Sequence, residues 1–186
     1  MAPLNNARIA ARLSPAWQAR RWYYTPKSRR AYSIRQVSPG DRRLLAEFVS
    51  ELTATSAERD LASIRELTTM LFDRVIVNGE ENAVAFAALE NTSGADRVIG
   101  VCAYAPSGLE GADFGVAVAN SYREEQVGRT LLSTLIRHAK RVGVRRLSGE
   151  MVWSNRAMQT LATSLGFQVL PLQRDRNYRL LALDLK

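Results

Sequence analysis

Between residues 83 and 118 the chain carries three strand-like runs, Ala83 to Leu89, Val98 to Tyr104 and Phe114 to Val118. Only the turn-rich stretches NTSGAD and APSGLEGA separate them. Neither connection can hold the crossover that parallel neighbours need, so the three runs are expected to pair as an antiparallel meander. A meander must be covered, and the sequence on both sides supplies helices and further strands.

Upstream, YSIRQV from Tyr32 alternates as a strand does, and Ser38-Pro39-Gly40-Asp41 has the form of a capping box with proline at the first helical position. The helix that follows buries Leu44, Leu45, Phe48, Val49 and Leu52. A second helix is expected to start at Thr55 with Glu58 and to present Leu61, Ile64, Leu67 and Leu71 at helical spacing. Downstream, Gln126 to Gly143 reads as a helix with Val127, Leu131, Leu135, Ala139 and Val142 along one side. Val144 to Trp153 is then a strand, and SNRAMQTLATSL a short helix capped by Ser154 and ended at Gly166. Val169 to Leu172 and Tyr178 to Leu185 form a closing hairpin. The predicted order is β, α, α, β, β, β, α, β, α, β, β, an α/β (α+β) fold with a mixed, mostly antiparallel sheet flanked by helices.

The 186 residues suit one domain, and 46% hydrophobic content is ordinary for a globular chain. No apolar run approaches the roughly 20 residues of a bilayer span, so no membrane segment is expected. Cys102 is the single cysteine. That excludes an intramolecular disulfide and fits a cytoplasmic setting. The net charge of +8 is uneven: 8 of the 26 basic residues precede Asp41, leaving 18 against 18 acids from position 41 onward. Residues 1–31 therefore read as a basic arm with Trp17, Trp22, Tyr23 and Tyr24, partly disordered, and 32–186 as the folded domain. An arginine-rich start without acids also has the composition of an organellar transit peptide. Nucleic acid is not expected as a partner, because the body offers no net positive excess.

The stretch NSYREEQVGRTLL, from Asn120, follows a strand and opens a helix, the position at which free backbone amides can hold a phosphate. It carries one glycine, and Glu124 and Glu125 stand where a phosphate site would prefer neutral or basic residues. A single histidine, His138, excludes a multi-histidine metal cluster, and no metal is expected. His138 sits near the edge of an apolar stripe and reads as a partly buried structural group; Cys102, mid-strand, reads as a buried, inert one.

The element order, with three local signatures, resembles the GNAT superfamily of acyl-CoA-dependent N-acyltransferases. Arg123-Glu124-Glu125-Gln126-Val127-Gly128 aligns with the family's pyrophosphate loop, although Gln126 replaces its first glycine. The helix GRTLLSTLIRHAKRVGVRRL follows as in the family, and Asn155 precedes LGF at 165 to 167 with the family's spacing. The wording EMVWSNRAMQTLATSLGF is most similar to bacterial protein lysine acetyltransferases. The resemblance runs from about Tyr32 to Lys186.

It implies acetyl-CoA as cosubstrate, bound by the strand backbone at Val116, Ala117 and Val118, by the loop residues Arg123, Glu124, Gln126, Val127, Gly128 and Arg129, and by Asn155. It also implies a general base. Asp113 stands at the start of DFGVAV, where the resembling acetyltransferases carry a glutamate. Glu150 lies in LSGEMVW, where other members place theirs. The choice between the two carboxylates stays open, and each has a purely structural alternative. The family's leaving-group tyrosine would fall at Ala162 and is absent. The resemblance thus implies an N-acetyltransferase that acts on a primary amine such as a protein lysine, as a monomer or homodimer. The alternative is a GNAT fold that has lost catalysis and binds a partner through its basic arm.

Overall fold

A computed structural model of the chain describes residues 21–24, 31–56, 61–92, 94–109, 111–122 and 126–185. Among these residues eight strands form one sheet: β1 (Arg21–Tyr24), β2 (Tyr32–Gln36), β3 (Val84–Thr92), β4 (Ala95–Ser107), β5 (Gly111–Val118), β6 (Arg146–Val152), β7 (Gln168–Pro171) and β8 (Tyr178–Asp184). Their spatial order is β1-β2-β3-β4-β5-β6-β8-β7. The helices are α1 (Arg42–Thr55), α2 (Leu61–Thr69), α3 (Val127–Val142) and α4 (Arg156–Ser164). Most of the basic arm lies outside the described residues, but Arg21–Tyr24 pairs antiparallel with β2, an edge strand that the sequence did not announce.

The meander forms as expected: β3, β4 and β5 are antiparallel neighbours, with Phe86 opposite Cys102 and Cys102 opposite Val116. Val84–Leu89 and Val98–Ala105 are buried without alternation, because helices cover both faces. On one face Cys102 Sγ lies 3.4 Å from the Leu131 carbonyl of α3. Gly100 admits the same helix: a Cβ there would stand 3.0 Å from Leu131 Cδ1 and 3.2 Å from Val127 Cγ1. The other face meets α2, where a Cβ on Gly115 would stand 3.1 Å from Leu67 Cδ1.

Several local expectations shift. The capping residues act around a short 3-10 turn, Pro39–Asp41, that leads into α1. Asp41 takes the Ser38 amide at 2.8 Å and both ends of the Arg35 guanidinium at 2.7 and 2.6 Å. Burial alone would raise its pKa; the Arg35 and Ser38 bonds outweigh it and hold the carboxyl below its usual range. Thr55 does not start a helix. It ends α1, its hydroxyl donating back to the Glu51 carbonyl at 2.9 Å, and Glu58 lies outside the described residues. α2 passes directly into a π-helical segment, Met70–Val77. The cap of α4 is Asn155, whose Oδ1 accepts the Met158 amide at 3.0 Å, and not Ser154. β7 and β8 pair as the expected hairpin within one chain.

Candidate functional site

β5 and β6 are the only parallel neighbours among the described strands, and their pairing covers just Gly111–Asp113 against Arg146–Ser148. Beyond that point they part. A Cβ on Gly149 would meet the Phe114 carbonyl oxygen at 2.8 Å and its ring at 2.9 Å, so the missing side chain lets Phe114 sit at the fork. From Phe114 to Val118 the β6-facing edge of β5 has no ladder partner in β6. The fork opens into a cavity of about 820 Å³, within the range of small-molecule sites.

Strand alternation sorts the fork into two sides. Ala103 lies opposite Gly115 and Ala105 opposite Asp113, so Asp113 shares the α2 face with Gly115. Ser148 is the parallel partner of Asp113, which places Glu150, two residues on, on that face too. The cavity wall accordingly includes Asp113, Glu150 and, from α2, Glu66. Asp113 is inside β5 and not at its start. Glu150 is ion-paired with Arg174 of the β7–β8 connection. Arg74, in the π segment, also lines the cavity; its Nη2 donates to Glu80 at 2.6 Å and to the Pro106 carbonyl at 2.8 Å.

The α3 side is built from backbone. Gln126 is the N-cap of α3 in a left-handed conformation, φ 58 and ψ 9. Its carbonyl accepts the Thr130 amide at 3.0 Å and its side chain caps nothing. The amides of Val127, Gly128 and Arg129 thus begin the helix without intrahelical acceptors, where the helix dipole is positive. Gln126, Gly128, Arg129, Asn155 and the strand residues Val116, Ala117 and Val118 all line the cavity, while the Val127 side chain is fully buried beneath it. Arg129 donates to Ser164 Oγ of α4 at 2.6 Å, tying the two helices together across the opening. Arg123, Glu124 and Glu125 lie outside the described residues.

Sequence reasoning missed Glu66. Its only signal was a place beside Leu67 on a helix, and nothing in the sequence says which neighbour of a core leucine will face a cavity. Its side chain is exposed by surface area, yet partial desolvation raises its pKa, as do the negative charges of Glu150 and Asp113, against the opposing pull of Arg174. Cys102 is buried as expected, and His138 is more deeply buried than the partly buried place expected for it. His138 Nδ1 is 2.9 Å from the Tyr104 hydroxyl, and burial, with Arg141 nearby, lowers its pKa to about 4. Burial pushes the Cys102 thiol well above its usual range, which leaves it inert. Among the described residues no group of three or more metal-ligating side chains occurs, and no helix is long and apolar enough to cross a membrane.

Residues 32–168 match the family profile described as the acetyltransferase (GNAT) domain. The chain is 30% identical over 168 residues to the acetyltransferase PA5475 of Pseudomonas aeruginosa, covering 88% of this chain and 90% of that protein. Among solved structures it is similar to the GNAT domain of S. lividans PAT, with a TM-score of 0.68, 17% identity, and coverage of 93% of this chain and 99% of that one. The ribosomal-protein-S5-alanine acetyltransferase of Vibrio fischeri gives a TM-score of 0.63 at 12% identity, covering 88% of this chain and 97% of that one.

Proposed function

The chain belongs to the GNAT acetyltransferase family, and from that premise we propose that it moves an acetyl group from acetyl-CoA to a primary amine by direct attack, with a protein lysine the first acceptor to try. The observation that supports this most is the fork between β5 and β6, which joins the start of α3 to the carboxylates on the α2 face.

In this reading Val116, Ala117 and Val118 offer the free edge of β5 to the pantetheine arm. The first amides of α3, at Val127, Gly128 and Arg129, face the pyrophosphate, with Arg123 and Glu124 in the loop before them and Asn155 across the opening. The left-handed Gln126 keeps the backbone shape that a glycine would give, so those amides still open toward the cavity. The acetyl-CoA supplies an activated thioester. The chain's own part is to polarise that carbonyl with a strand amide near Val118, to exclude water, and to remove a proton from the amine with a carboxylate of the α2 face, the face to which Asp113 and Glu150 belong. A thiol leaves readily, so the absence of a tyrosine at Ala162 is no bar. A reducing compartment such as the cytoplasm suits the single buried thiol. Residues 32–186 carry the transferase, with Arg21–Tyr24 adding an edge strand to its sheet.

A second reading, a GNAT fold kept as a binding module, draws on the side chain that Gln126 carries where the family has glycine. Acetylation assays with lysine peptides and small amines separate the two. The transferase reading expects amine-dependent release of CoA. Binding of acetyl-CoA without turnover of any amine would favour the binding module.

A further inference from the structure

Three carboxylates reach the acceptor half of the cavity from three different elements, and they are not equivalent. Gly115 lets α2 lie directly on β5 through Leu67, and at that distance Ser63, Glu66, Met70 and Arg74, three to four residues apart, follow one wall of the cavity. Asp113 and Glu150 come from the strands on the same face. Glu150 is tied to Arg174. Asp113 lies in the field of Arg74, itself fixed by Glu80 and the Pro106 carbonyl. Glu66 has neither a hydrogen bond nor an ion pair among the described residues, so its oxygens are free to receive a proton.

We propose that Glu66 is the general base of the acetyl transfer and that the acceptor enters the cavity as a protonated primary amine. The inference rests on the acetyltransferase reading of this cavity. An incoming ammonium relieves the repulsion that Glu150 and Asp113 exert on Glu66. The Glu66 carboxylate takes one proton from the ammonium. The freed lone pair forms the C–N bond as the C–S bond breaks. The second amine proton ends on the departing thiolate, and Glu66 returns its proton to water. Glu66 is solvent-exposed by surface area, yet partial desolvation and then Glu150 and Asp113, against Arg174, raise its basicity, the direction a proton acceptor needs.

The test uses the full chain and Glu66→Gln, with CoA release measured from pH 6 to 10, n-butylamine and a lysine-containing peptide amide as acceptors, and acetyl-CoA affinity measured separately. Loss of about 100-fold or more in kcat/KM at pH 7, narrowing as the pH approaches the amine's own pKa near roughly 10.4, with acetyl-CoA affinity unchanged, is the expected result. Glu66→Asp should restore part of the loss. In a carboxyl-carbon NMR titration, the glutamate signal missing from Glu66→Gln should titrate above the ordinary glutamate range. A variant within threefold of wild type with the same pH profile overturns the role of Glu66 and leaves the transferase reading intact. Joint loss of acetyl-CoA affinity and activity makes Glu66 a structural residue and overturns the role too. Wild-type protein that releases no CoA with either amine overturns inference and reading together.

Discussion

The two helices that flank the fork are built on different principles. α3 runs without a break from Val127 to Val142, with Leu131, Leu135 and Ala139 fully buried on its inner stripe. α2 is regular only from Leu61 to Thr69 before it widens into the π segment Met70–Val77. α3 presents backbone amides to the cavity, whereas α2 presents Glu66 and the continuation Arg74. Backbone recognition tolerates side-chain change, and side-chain chemistry does not. In the proposed function, that contrast lets the helix start at Gln126 serve as an anion site despite its side chain, while the acceptor half depends on a few named groups.

The contrast can be broken most forcefully from the α3 side. Leu131→Ala removes a fully buried side chain lodged against Gly100 and should cost about 3 kcal/mol of stability, read from urea unfolding, with acetyl-CoA affinity falling alongside. A comparable effect follows from pH. His138 is neutral in the folded protein down to about 4 against an ordinary value of 6.5, so between these limits the unfolded chain binds a proton that the folded chain refuses. Its effect is absent above pH 6.5. Stability should then fall, on the order of 3 kcal/mol by pH 4, and His138→Gln should remove this part of the acid dependence.

On the α2 side, Gly115→Val pushes against Leu67 and should cost about 2 kcal/mol. It should lower amine turnover far more than acetyl-CoA affinity, because it displaces α2 and leaves α3 in place. The smallest effect belongs to Gln126→Gly. Relief of the left-handed conformation and the added freedom of the unfolded chain oppose one another, so stability should change by less than about 1 kcal/mol. Acetyl-CoA affinity should rise by no more than about threefold, measured by calorimetry. A much larger gain would show that the Gln126 side chain, and not the loop's backbone, limits the site.

The same two regions differ in how much of them could be read from the sequence. The meander and α3 were legible because periodicity and short turns act locally, and the burial of Cys102 followed from its neighbours in the meander. α2 was not. Its true start follows Thr55, whose hydroxyl turns back to Glu51, and its π widening is fixed by tertiary bonds from Arg74 to Glu80 and to Pro106 on a distant strand. Ser154 and Asn155 are both good caps, and only the geometry at the end of β6 selects Asn155. Arg21–Tyr24 becomes a strand because β2 offers an edge, a fact outside its own residues. Of the proposed site, the described strand and helix-start residues line one cavity, but Glu66 emerges only once α2 is laid on Gly115.

The central claim is that one cavity holds acetyl-CoA through the backbone of β5 and α3 and performs proton transfer through side chains of the α2 face. Calorimetric titration of acetyl-CoA into the wild-type chain and into Glu66→Gln tests it most directly. The account predicts saturable, one-to-one binding of equal affinity in both proteins. Absence of binding to the wild-type chain at millimolar acetyl-CoA, or binding that disappears with the Glu66 carboxylate, would contradict it.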